Sequence, residues 1–363
     1  MEPYVADMLP LAPEKVDQMY FINELVDAVA RLEVYKEKIK DSKLDSAWFM
    51  PTLQQKEAVA SSLMEGTQAT LDGMLINQAM PDKKTKDIEE VNRYLDASLT
   101  GYRVLRRTDE FPSDLILEIH KKLMKDSCRK SSDEVGTFRK KQNYIGRMNG
   151  DHGLVFTPPA PEDVEPLMEN LVEYIKDPKD NFREIVRAAI IHAQFLTIHP
   201  FMDGNGRVGR LLIPLYLYYC KQIDLPCFFI SEALERDKFK YYKLLNDIRS
   251  DGNWNEWIKF FLLTVTKQCD KYIKMISDIN DLYNTDLEKV CEINNSGKMV
   301  DVINLLYQYP VVTSNILVEK LSYAPSTANR YLKLLVDNNV LYTDQKSRNK
   351  TYFYYDLLNI LRD

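Results

Sequence analysis

The residues best equipped for chemistry lie in one short segment, 199–210, between two apolar stretches of the chain. The segment combines an imidazole, a carboxylate, a glycine-containing turn and two guanidinium groups. These groups belong to His199, Asp203, Gly204, Asn205, Gly206, Arg207 and Arg210. No other segment of the sequence is so dense in functional groups. Together they predict a site that binds phosphates and transfers a proton beside them.

The turn and the residues after it are suited to binding an anion. Gly204 and Gly206 have no Cβ, so the backbone can turn tightly and approach a ligand closely. The apolar residues after Arg207 predict a helix, and the N–H groups at a helix N-terminus attract phosphate. Asn205 adds a side-chain donor. Arg207 and Arg210 share one face of that helix, and guanidinium groups bind phosphate oxygens bidentately.

His199 and Asp203 supply the groups for catalysis. A histidine can accept a proton near neutral pH, and a carboxylate is a hard ligand for a Mg²⁺ ion that already carries phosphates. Taken singly, a histidine, a Gly-x-Gly turn or a pair of arginines is more often structural. Their combination at fixed spacing argues against a purely structural interpretation.

The segment matches the pattern His-Pro-Phe-x-Asp-Gly-Asn-Gly-Arg-x-x-Arg at every fixed position, and it therefore resembles the signature of the Fic family. Most members of that family transfer AMP from ATP to a hydroxyl side chain of a protein. The resemblance covers about residues 50–265. Residues 136–139, 143–146 and 156–159 are similar to the family's flap, a hairpin that docks the target segment as an added strand.

The resemblance implies a role for each residue of the site. His199 would be the general base that deprotonates the incoming hydroxyl, and Asp203 would hold Mg²⁺ on the phosphates. Arg207 would contact the phosphates and Arg210 would hold the γ-phosphate. The α-phosphate would be held by Gly204, Asn205 and Gly206. The nucleotide would be lined by Ile145, Gly146, Tyr241 and Tyr242.

A second motif lies far upstream, where Ser61, Glu65 and Gly66 fit the pattern Ser/Thr-x-x-x-Glu-Gly/Asn. In Fic proteins this pattern marks an inhibitory helix, whose glutamate pairs with the second arginine of the signature, here Arg210. An arginine bonded to a carboxylate cannot also clamp a γ-phosphate. The resemblance therefore predicts autoinhibition by Glu65. Some family members use the same glutamate to position a water and remove AMP.

The composition fits an intracellular enzyme. The chain has 363 residues, 45% of them hydrophobic, and a net charge of −6, which gives no sign of general binding to polyanions. Its five cysteines are odd in number and lack metal-ligand spacing, so we expect reduced thiols. The N-terminus lacks the features of a signal peptide, and the apolar runs are too short to cross a bilayer. We expect a cytoplasmic protein without membrane contact.

Hydrophobic periodicity predicts a mainly α fold. The resemblance implies that this fold is a Fic-type helical bundle with a β-hairpin flap and a C-terminal winged helix-turn-helix domain. Asn149-Gly150-Asp151 suits the turn of the flap, with Gly153 after it. The predicted helices cover residues 21–40, 46–64, 83–101, 113–124, 161–175, 180–197, 207–219, 232–249, 255–265 and 266–292.

The C-terminal part, residues 298–363, resembles the winged helix-turn-helix found at the end of many bacterial Fic proteins. It has predicted helices over 300–307, 313–321 and 326–335, and two wing strands over 340–342 and 351–354. Residues that could contact DNA are Ser326, Thr327, Asn329, Arg330, Lys333, Lys346, Arg348 and Lys350. Eight Lys/Arg against six Asp/Glu make a weak electrostatic footprint, so DNA binding and protein docking stay open as alternatives.

The sequence thus predicts an ATP- and Mg²⁺-dependent protein adenylyltransferase that acts on a target hydroxyl and on itself, autoinhibited by Glu65. The alternatives are a nucleotide-gated DNA-binding regulator and a Fic enzyme that chiefly removes AMP. A homodimer is also compatible with the family. The expected domains are an N-terminal helical region (1–110, with the inhibitory helix near 55–75), a catalytic domain (111–265), a connecting helix and linker (266–297) and the winged helix domain (298–363).

Overall fold

The computed structural model describes residues 2–42, 46–81, 85–126, 134–146, 156–293, 296–344, 346 and 350–362, without the side chains of residues 46–49. The predicted flap turn Asn149-Gly150-Asp151, Gly153, the wing residue Arg348 and Cys128 lie outside these residues. The other four cysteines are free thiols. None of the helices in the described ranges is long and apolar enough to cross a membrane.

The fold is mainly α, as the sequence predicts. Among the described residues as far as 251, the α-helices are α1 (Ile22–Lys40), α2 (Ser46–Leu63), α3 (Leu71–Ala79), α4 (Lys86–Thr108), α5 (Leu115–Leu123), α6 (Pro161–Lys176), α7 (Glu184–Ile198), α8 (Asn205–Tyr219), α9 (Ser231–Arg236) and α10 (Lys238–Asp251). The sequence predicts one helix over 232–249, but the chain breaks it at Asp237, between α9 and α10. It also misses α3.

The C-terminal part begins with one long helix and continues with shorter elements. They are α11 (Trp254–Ile293), α12 (Gly297–Gln308), β1 (Val311–Val312), α13 (Ser314–Leu321), α14 (Pro325–Asp337), β2 (Tyr342–Thr343), β3 (Tyr352–Phe353) and α15 (Tyr355–Arg362). The separate helices predicted over 255–265 and 266–292 are a single helix, because neither glycine nor proline interrupts residues 254–293. The sequence also misses β1 and α15.

The chain forms two compact units. The first contains residues 1–32, 60–67 and 90–268, and the second contains residues 33–59, 68–89 and 269–363. Each unit is built from segments that are distant in sequence. The consecutive domain boundaries expected from the sequence remain a prediction.

The core of the first unit is the pair α7 and α8. Thirteen of the 15 residues of α7 are buried, so this helix is enclosed on all sides and lies inside the unit. The two helices approach closely at Gly209 of α8, where a Cβ would lie 3.1 Å from Leu196 and 3.2 Å from Phe195 of α7. Helix α6 packs on α7, and α5 packs on α8. The loop 199–204 joins these two central helices.

The second unit contains helices α12–α14 and a small antiparallel sheet of order β1-β3-β2, in which β1 lies between α12 and α13 in the chain and β2 and β3 follow α14. Phe353 is opposite Val311 on one side and Tyr342 on the other. Asp286 of α11 is buried and accepts hydrogen bonds from the hydroxyls of Tyr307 and Tyr354. This order of helices and strands is the one expected of a winged helix-turn-helix, and that assignment stays a prediction.

Candidate active site

Helix α7 ends at a residue in the left-handed conformation. His199 has φ 50° and ψ 58°, and its N–H donates to Phe195 O at 3.0 Å. Helices often end this way, but usually at glycine or asparagine, because a side chain in this region is strained by about 1–3 kcal/mol. The turn must therefore be held by its neighbours.

Two arginines hold this helix end by capping its carbonyl groups. Arg139 donates from Nε to His199 O at 2.9 Å and from Nη2 to Ile198 O at 3.4 Å, and it also bonds to Pro159 O outside the helix. Arg249 donates from Nη2 to Leu196 O at 3.1 Å. The last carbonyls of a helix have no partner within it, and cations are favourable there. The two guanidinium groups satisfy these acceptors and fix the turn that carries His199.

The environment of His199 keeps its imidazole neutral. The Nδ1 atom lies 3.4 Å from Leu196 O, so this nitrogen carries the hydrogen and Nε2 is left with its lone pair. Burial lowers the pKa of His199, and Arg249 and Arg139 lower it further, to about 3. The residue is therefore unprotonated at neutral pH, as a general base must be.

The N-terminus of α8 forms an anion-binding cradle beside His199. Gly204 precedes the helix with φ 78°, in the left-handed region that favours glycine. The N–H groups of Asn205, Gly206 and Arg207 belong to the first helical turn and have no acceptor within the helix. The side chain of Asn205 exchanges two hydrogen bonds with the backbone of Phe201, at 2.9 and 2.7 Å. Asn205 therefore holds the loop in shape with its side chain.

Asp203 has a carboxylate that suits a cation carried by phosphates. Its side chain is 30% exposed, its Oδ1 accepts the N–H of Gly204 at 2.7 Å, and its backbone carbonyl lies 3.2 Å from His120 Nε2. Within the described residues no cluster of three His, Cys, Asp or Glu side chains could hold a metal ion by itself. A single carboxylate at the phosphate site fits Mg²⁺, which is commonly bound by one or two carboxylates together with the phosphates of a substrate.

Arg210 is buried and bonded to the upstream motif. It donates to Glu65 Oε1 at 2.7 Å, to Ser61 Oγ at 2.8 Å and to Ser61 O at 2.8 Å. Burial alone would raise the pKa of Glu65, but Arg210 outweighs it and holds the pKa below its ordinary value. A Cβ at Gly206 would lie 2.3 Å from Glu65 Oε1. The Glu65 carboxylate thus lies directly against the phosphate cradle.

Glu65 does not lie on a helix, contrary to the prediction for the segment 55–75. Helix α2 ends at Leu63, and Glu65 lies in a turn that ends at Gly66, whose φ is 95°. Gly66 provides the left-handed residue that stops the helix. The turn is held by Lys238, whose Nζ donates to Met64 O at 2.8 Å.

Arg207 is directed elsewhere. It pairs with Glu90 of α4, its Nη2 lies 3.9 Å from the sulfur of Met124, and only 5% of its side chain is exposed. It does not line the cavity that contains the other residues of the motif. The Oδ1 atom of Asp203 lies 3.9 Å from Nη2 of Arg207.

The base of the flap is a short antiparallel pair. Ile145 and Phe156 exchange backbone hydrogen bonds at 2.9 and 2.8 Å. Asn143 fastens this pair to the loop 199–204 by donating to Phe201 O at 3.2 Å. On the far side of Phe156, the N–H of Tyr4 donates to Thr157 O at 3.0 Å, so the chain's own N-terminal segment lies along that edge.

One cavity of about 530 Å³ brings these elements together, within the range typical of ligand sites. The predicted residues that line it are Glu65, Ile145, Gly146, His199, Asp203, Gly204, Asn205, Gly206, Arg210, Tyr241 and Tyr242. Tyr241 is fully buried and its hydroxyl lies 3.0 Å from Nε2 of His192, a buried histidine that also contacts Gly209 O. Tyr242 is 40% exposed and forms the more open part of the wall.

Family models match two parts of the chain. The Fic/DOC family model matches residues 110–217, and the model of the family's N-terminal region matches residues 23–103. The chain belongs to the Fic/DOC family. The two matched ranges contain every residue of the signature, as well as Glu65 and Glu90.

Named relatives of this Fic chain are adenylyltransferases. Protein adenylyltransferase fic-1 of Caenorhabditis elegans is 34% identical over 159 residues, which are 42% of this chain and 28% of that protein. Protein adenylyltransferase Fic of Nematostella vectensis is 27% identical over 256 residues, 64% of this chain and 54% of that protein. The chain thus spans about half or less of the length of these relatives.

Solved structures show the same fold. A Fic family protein from Desulfovibrio desulfuricans matches with a TM-score of 0.59 at 20% identity, over 98% of both chains. Fic-1 from C. elegans matches with a TM-score of 0.54 at 21% identity, over 73% of this chain and 75% of that chain. At these identities the likeness establishes the fold.

Sequence reasoning missed several residues of the Fic cavity. Those on α7, the catalytic loop and α10 are Leu196, Met202, Leu245, Asn246 and Arg249. Helical spacing links the α10 residues to Tyr241 and Tyr242, because positions 241, 245 and 249 lie on one face. Glu90 had no comparable signal, since an acidic residue on an amphipathic helix is ordinarily exposed.

Proposed function

We propose that this Fic protein is a protein adenylyltransferase, which transfers AMP from ATP to a Ser, Thr or Tyr hydroxyl of a target protein and of itself. The observation that carries this proposal is the pairing of a neutral His199 with the phosphate cradle of α8 in one cavity. The adenylyltransferase names of the relatives support it.

The proposed reaction follows from the positions of these groups. Nε2 of His199 accepts the proton of the target hydroxyl, whose oxygen forms a bond to the α-phosphorus of ATP. The bond between the α-phosphorus and the bridging oxygen breaks, and pyrophosphate leaves. The N–H groups at the start of α8 stabilise the charge on the α-phosphate. Most of the acceleration comes from positioning and electrostatics, as in phosphoryl transfer generally.

Asp203 would hold Mg²⁺ on the phosphates, where the ion supplies charge neutralisation. The target hydroxyl would be presented by a segment docked on the flap, next to Ile145 and Phe156. Arg210 would bind the γ-phosphate once it is released from Glu65. Arg207 would act on the phosphates indirectly, because its side chain is bound to Glu90 and lies away from the cavity.

We further propose that Glu65 inhibits transfer. Its carboxylate occupies Arg210 and lies against Gly206, so it competes with the γ-phosphate both for the guanidinium and for space. The pair is electrostatically matched at neutral pH, because each partner favours the charged form of the other.

Removal of AMP is the second candidate reaction. It is favoured by one observation, that the Glu65 carboxylate lines the same cavity as His199. Glu65 would accept a proton from a water whose oxygen forms a bond to the phosphorus of the AMP-modified side chain. The bond between the phosphorus and the side-chain oxygen breaks, that oxygen takes up a proton to restore the hydroxyl, and AMP leaves. In this reaction Glu65 assists catalysis, so Glu65→Gly would abolish it.

The hypothesis that the protein is a nucleotide-gated DNA-binding regulator stays a prediction. Ser326, Asn329, Arg330 and Lys333 are exposed on α14, as a DNA-reading or protein-docking helix requires, whereas Thr327 is partly buried. A homodimer and a cytoplasmic location likewise stay predictions.

Mass spectrometry of three purified proteins tests the proposal: wild type, Glu65→Gly and Glu65→Gly/His199→Ala, each incubated with ATP and Mg²⁺. We expect added AMP on Glu65→Gly, little on wild type and none on the double variant. Because His199 is the base and not a phosphate ligand, the double variant should still bind ATP in calorimetry. Transfer by the double variant at the rate of Glu65→Gly would contradict the role of His199.

The same instrument separates the two reactions. AMP-modified protein isolated from the Glu65→Gly reaction is given to wild type without ATP. Loss of the AMP mass there, and not with Glu65→Gly, would establish AMP removal.

A further inference from the structure

One carbonyl oxygen accepts hydrogen bonds both from the proposed base, His199, and from Arg249, which lines the same cavity. Leu196 O, in the last turn of α7, accepts from His199 Nδ1 at 3.4 Å and from Arg249 Nη2 at 3.1 Å. A carbonyl oxygen has two lone pairs, so it can serve both donors. The hydrogen bond at Nδ1 decides which imidazole nitrogen faces the cavity without a proton.

Arg249 is held in place by neutral partners on every side. It donates from Nε to Thr197 Oγ1 at 3.3 Å and from Nη1 to Asn246 Oδ1 at 3.1 Å, and no carboxylate pairs with it within the described part of the chain. Its guanidinium carbon lies 4.0 Å from the centre of the Phe156 ring, at the base of the flap. Arg249 is half-buried, and a cation partly removed from water without an acid partner does not favour stability, which directs attention to its contacts with the site.

We propose that Arg249 is a positioning residue of the transfer reaction: by sharing Leu196 O with His199 and stacking on Phe156, it fixes the imidazole with Nε2 toward the cavity and ties that orientation to the flap. The inference rests on the proposed function, since it concerns the base of that reaction. Arg139 supports the same helix end but contacts the backbone of residue 199, and it does not touch the flap ring.

The positioning has an electrostatic consequence that can be measured. The charged groups that face His199 are Arg249 on α10, Arg139 next to the flap and Glu65 in the turn after α2. Both arginines disfavour a second proton on the imidazole, while Glu65 favours it. Removing the charge of Arg249 should raise the pKa of His199, because one of the two opposing cations is lost. Arg249 itself stays protonated at neutral pH, since its own pKa is lowered only to about 10.

Histidine NMR tests this without any need for activity. The chain has only four histidines, so their ring signals can be assigned with one His→Ala variant for each. We compare wild type with Arg249→Gln, Arg249→Lys and Arg236→Gln, the last an exposed arginine on α9. In Arg249→Gln we expect the pKa of His199 to rise by at least about one, a tenfold change in its protonation constant. Arg249→Lys and Arg236→Gln should leave it near the wild-type value. An unchanged pKa in Arg249→Gln, with the protein folded, would overturn the proposal.

The second arm measures transfer against pH in the Glu65→Gly background. Raising the pKa of the base shifts the acid limb of kcat/KM to higher pH, so the transfer activity of Arg249→Gln should begin to fall at a pH about one unit above that of the parent Glu65→Gly enzyme. Arg249→Lys should restore the limb. A uniform loss at all pH values would mean that Arg249 is merely structural. If Glu65→Gly itself transfers no AMP, the proposed function fails, while the NMR arm still decides the role of Arg249.

Discussion

The two arginines of the signature form ion pairs of the same kind in opposite surroundings. Arg207 pairs with Glu90 of α4, away from the cavity, and both side chains are largely buried. Arg210 pairs with Glu65 of the turn after α2, inside the cavity, and the Glu65 side chain keeps 30% of its exposure. One pair is closed off from ligand, and the other can be reached by it.

This difference separates a structural ion pair from one that can be exchanged. Breaking the Arg207 pair leaves a buried charge for which no ligand substitutes, so it should cost stability and activity together. Breaking the Arg210 pair leaves a guanidinium beside a phosphate cradle, where a γ-phosphate can replace the carboxylate. The same chemical change should therefore lower activity at one arginine and raise it at the other.

The largest effect is expected at Glu65. Glu65→Gly frees Arg210 and the space beside Gly206, so adenylylation should rise by at least about tenfold, the equivalent of about 1.4 kcal/mol of relieved competition. Glu65→Gln keeps the size of the side chain and loses its charge, so its adenylylation should lie between that of wild type and that of Glu65→Gly. Labelling with α-³²P ATP measures all three proteins. Equal labelling of wild type and Glu65→Gly would remove the distinction between the two pairs.

The sequence predicts the ion pair between Arg210 and Glu65 but gives no sign of the pair between Arg207 and Glu90. Glu65 and Arg210 each belong to a recognised pattern, and the structure places their atoms 2.7 Å apart. Arg207 and Arg210 were expected to act together because they are three residues apart. That spacing still leaves about 60° between them around the helix. This is enough to direct Arg207 to α4 and Arg210 to the cavity.

The unpredicted residues depend on contacts between distant segments. Glu90 contacts Arg207 of the signature across 117 positions of sequence, and nothing in its own neighbourhood marks it. Arg139 lies in the segment recognised as flap-like and Arg249 shares a helix face with Tyr241, but their bonds to His199 O and Leu196 O join segments 60 and 53 positions apart. Single-residue conformations are equally hidden, such as the left-handed turn at His199, beside which Arg139 and Arg249 cap the carbonyl groups. The prediction of helix boundaries fails for a different reason, because hydrophobic periodicity does not indicate where a helix stops. The break at Asp237, between α9 and α10, is an example.

The second largest effect is expected at Glu90. Glu90→Gln should lower the free energy of unfolding of the first unit by about 3 kcal/mol, at the lower end of the range for breaking a buried pair. Urea unfolding followed by tryptophan fluorescence measures this, since Trp254 and Trp257 are buried in that unit. In the Glu65→Gly background the same change should reduce transfer.

The opposite result at Glu90 would be informative. If Glu90→Gln raised transfer, then Glu90 would be a second inhibitory residue, and the two arginine pairs would be equivalent. Glu89→Gln, on the exposed side of α4, controls for the loss of one negative charge.

A smaller effect is expected at Gly206, where the contact with Glu65 is closest. A Cβ there would lie 2.3 Å from Glu65 Oε1, so Gly206→Ala should destabilise the wild type by about 1–3 kcal/mol, as overpacking commonly does. In the Glu65→Gly background the same substitution should cost much less. The double-mutant cycle isolates this coupling. Gly297→Ala is the control, because a Cβ there meets nothing within 4 Å. Additive effects would mean that the carboxylate does not lie against Gly206.

The smallest effect on activity is expected at Ser61, although it makes two of the three bonds to Arg210. Its hydroxyl is neutral and does not line the cavity, so unlike Glu65 it does not compete with a phosphate. Ser61→Ala should lower the free energy of unfolding by about 1–2 kcal/mol, because it leaves a charged donor unpaired, yet change transfer by less than about threefold. Ser62→Ala is the matched control, since its buried hydroxyl has no hydrogen-bond partner within the described residues and its loss should cost little. A rise in transfer with Ser61→Ala as large as with Glu65→Gly would show that inhibition depends on how Arg210 is oriented, and not on which anion it holds.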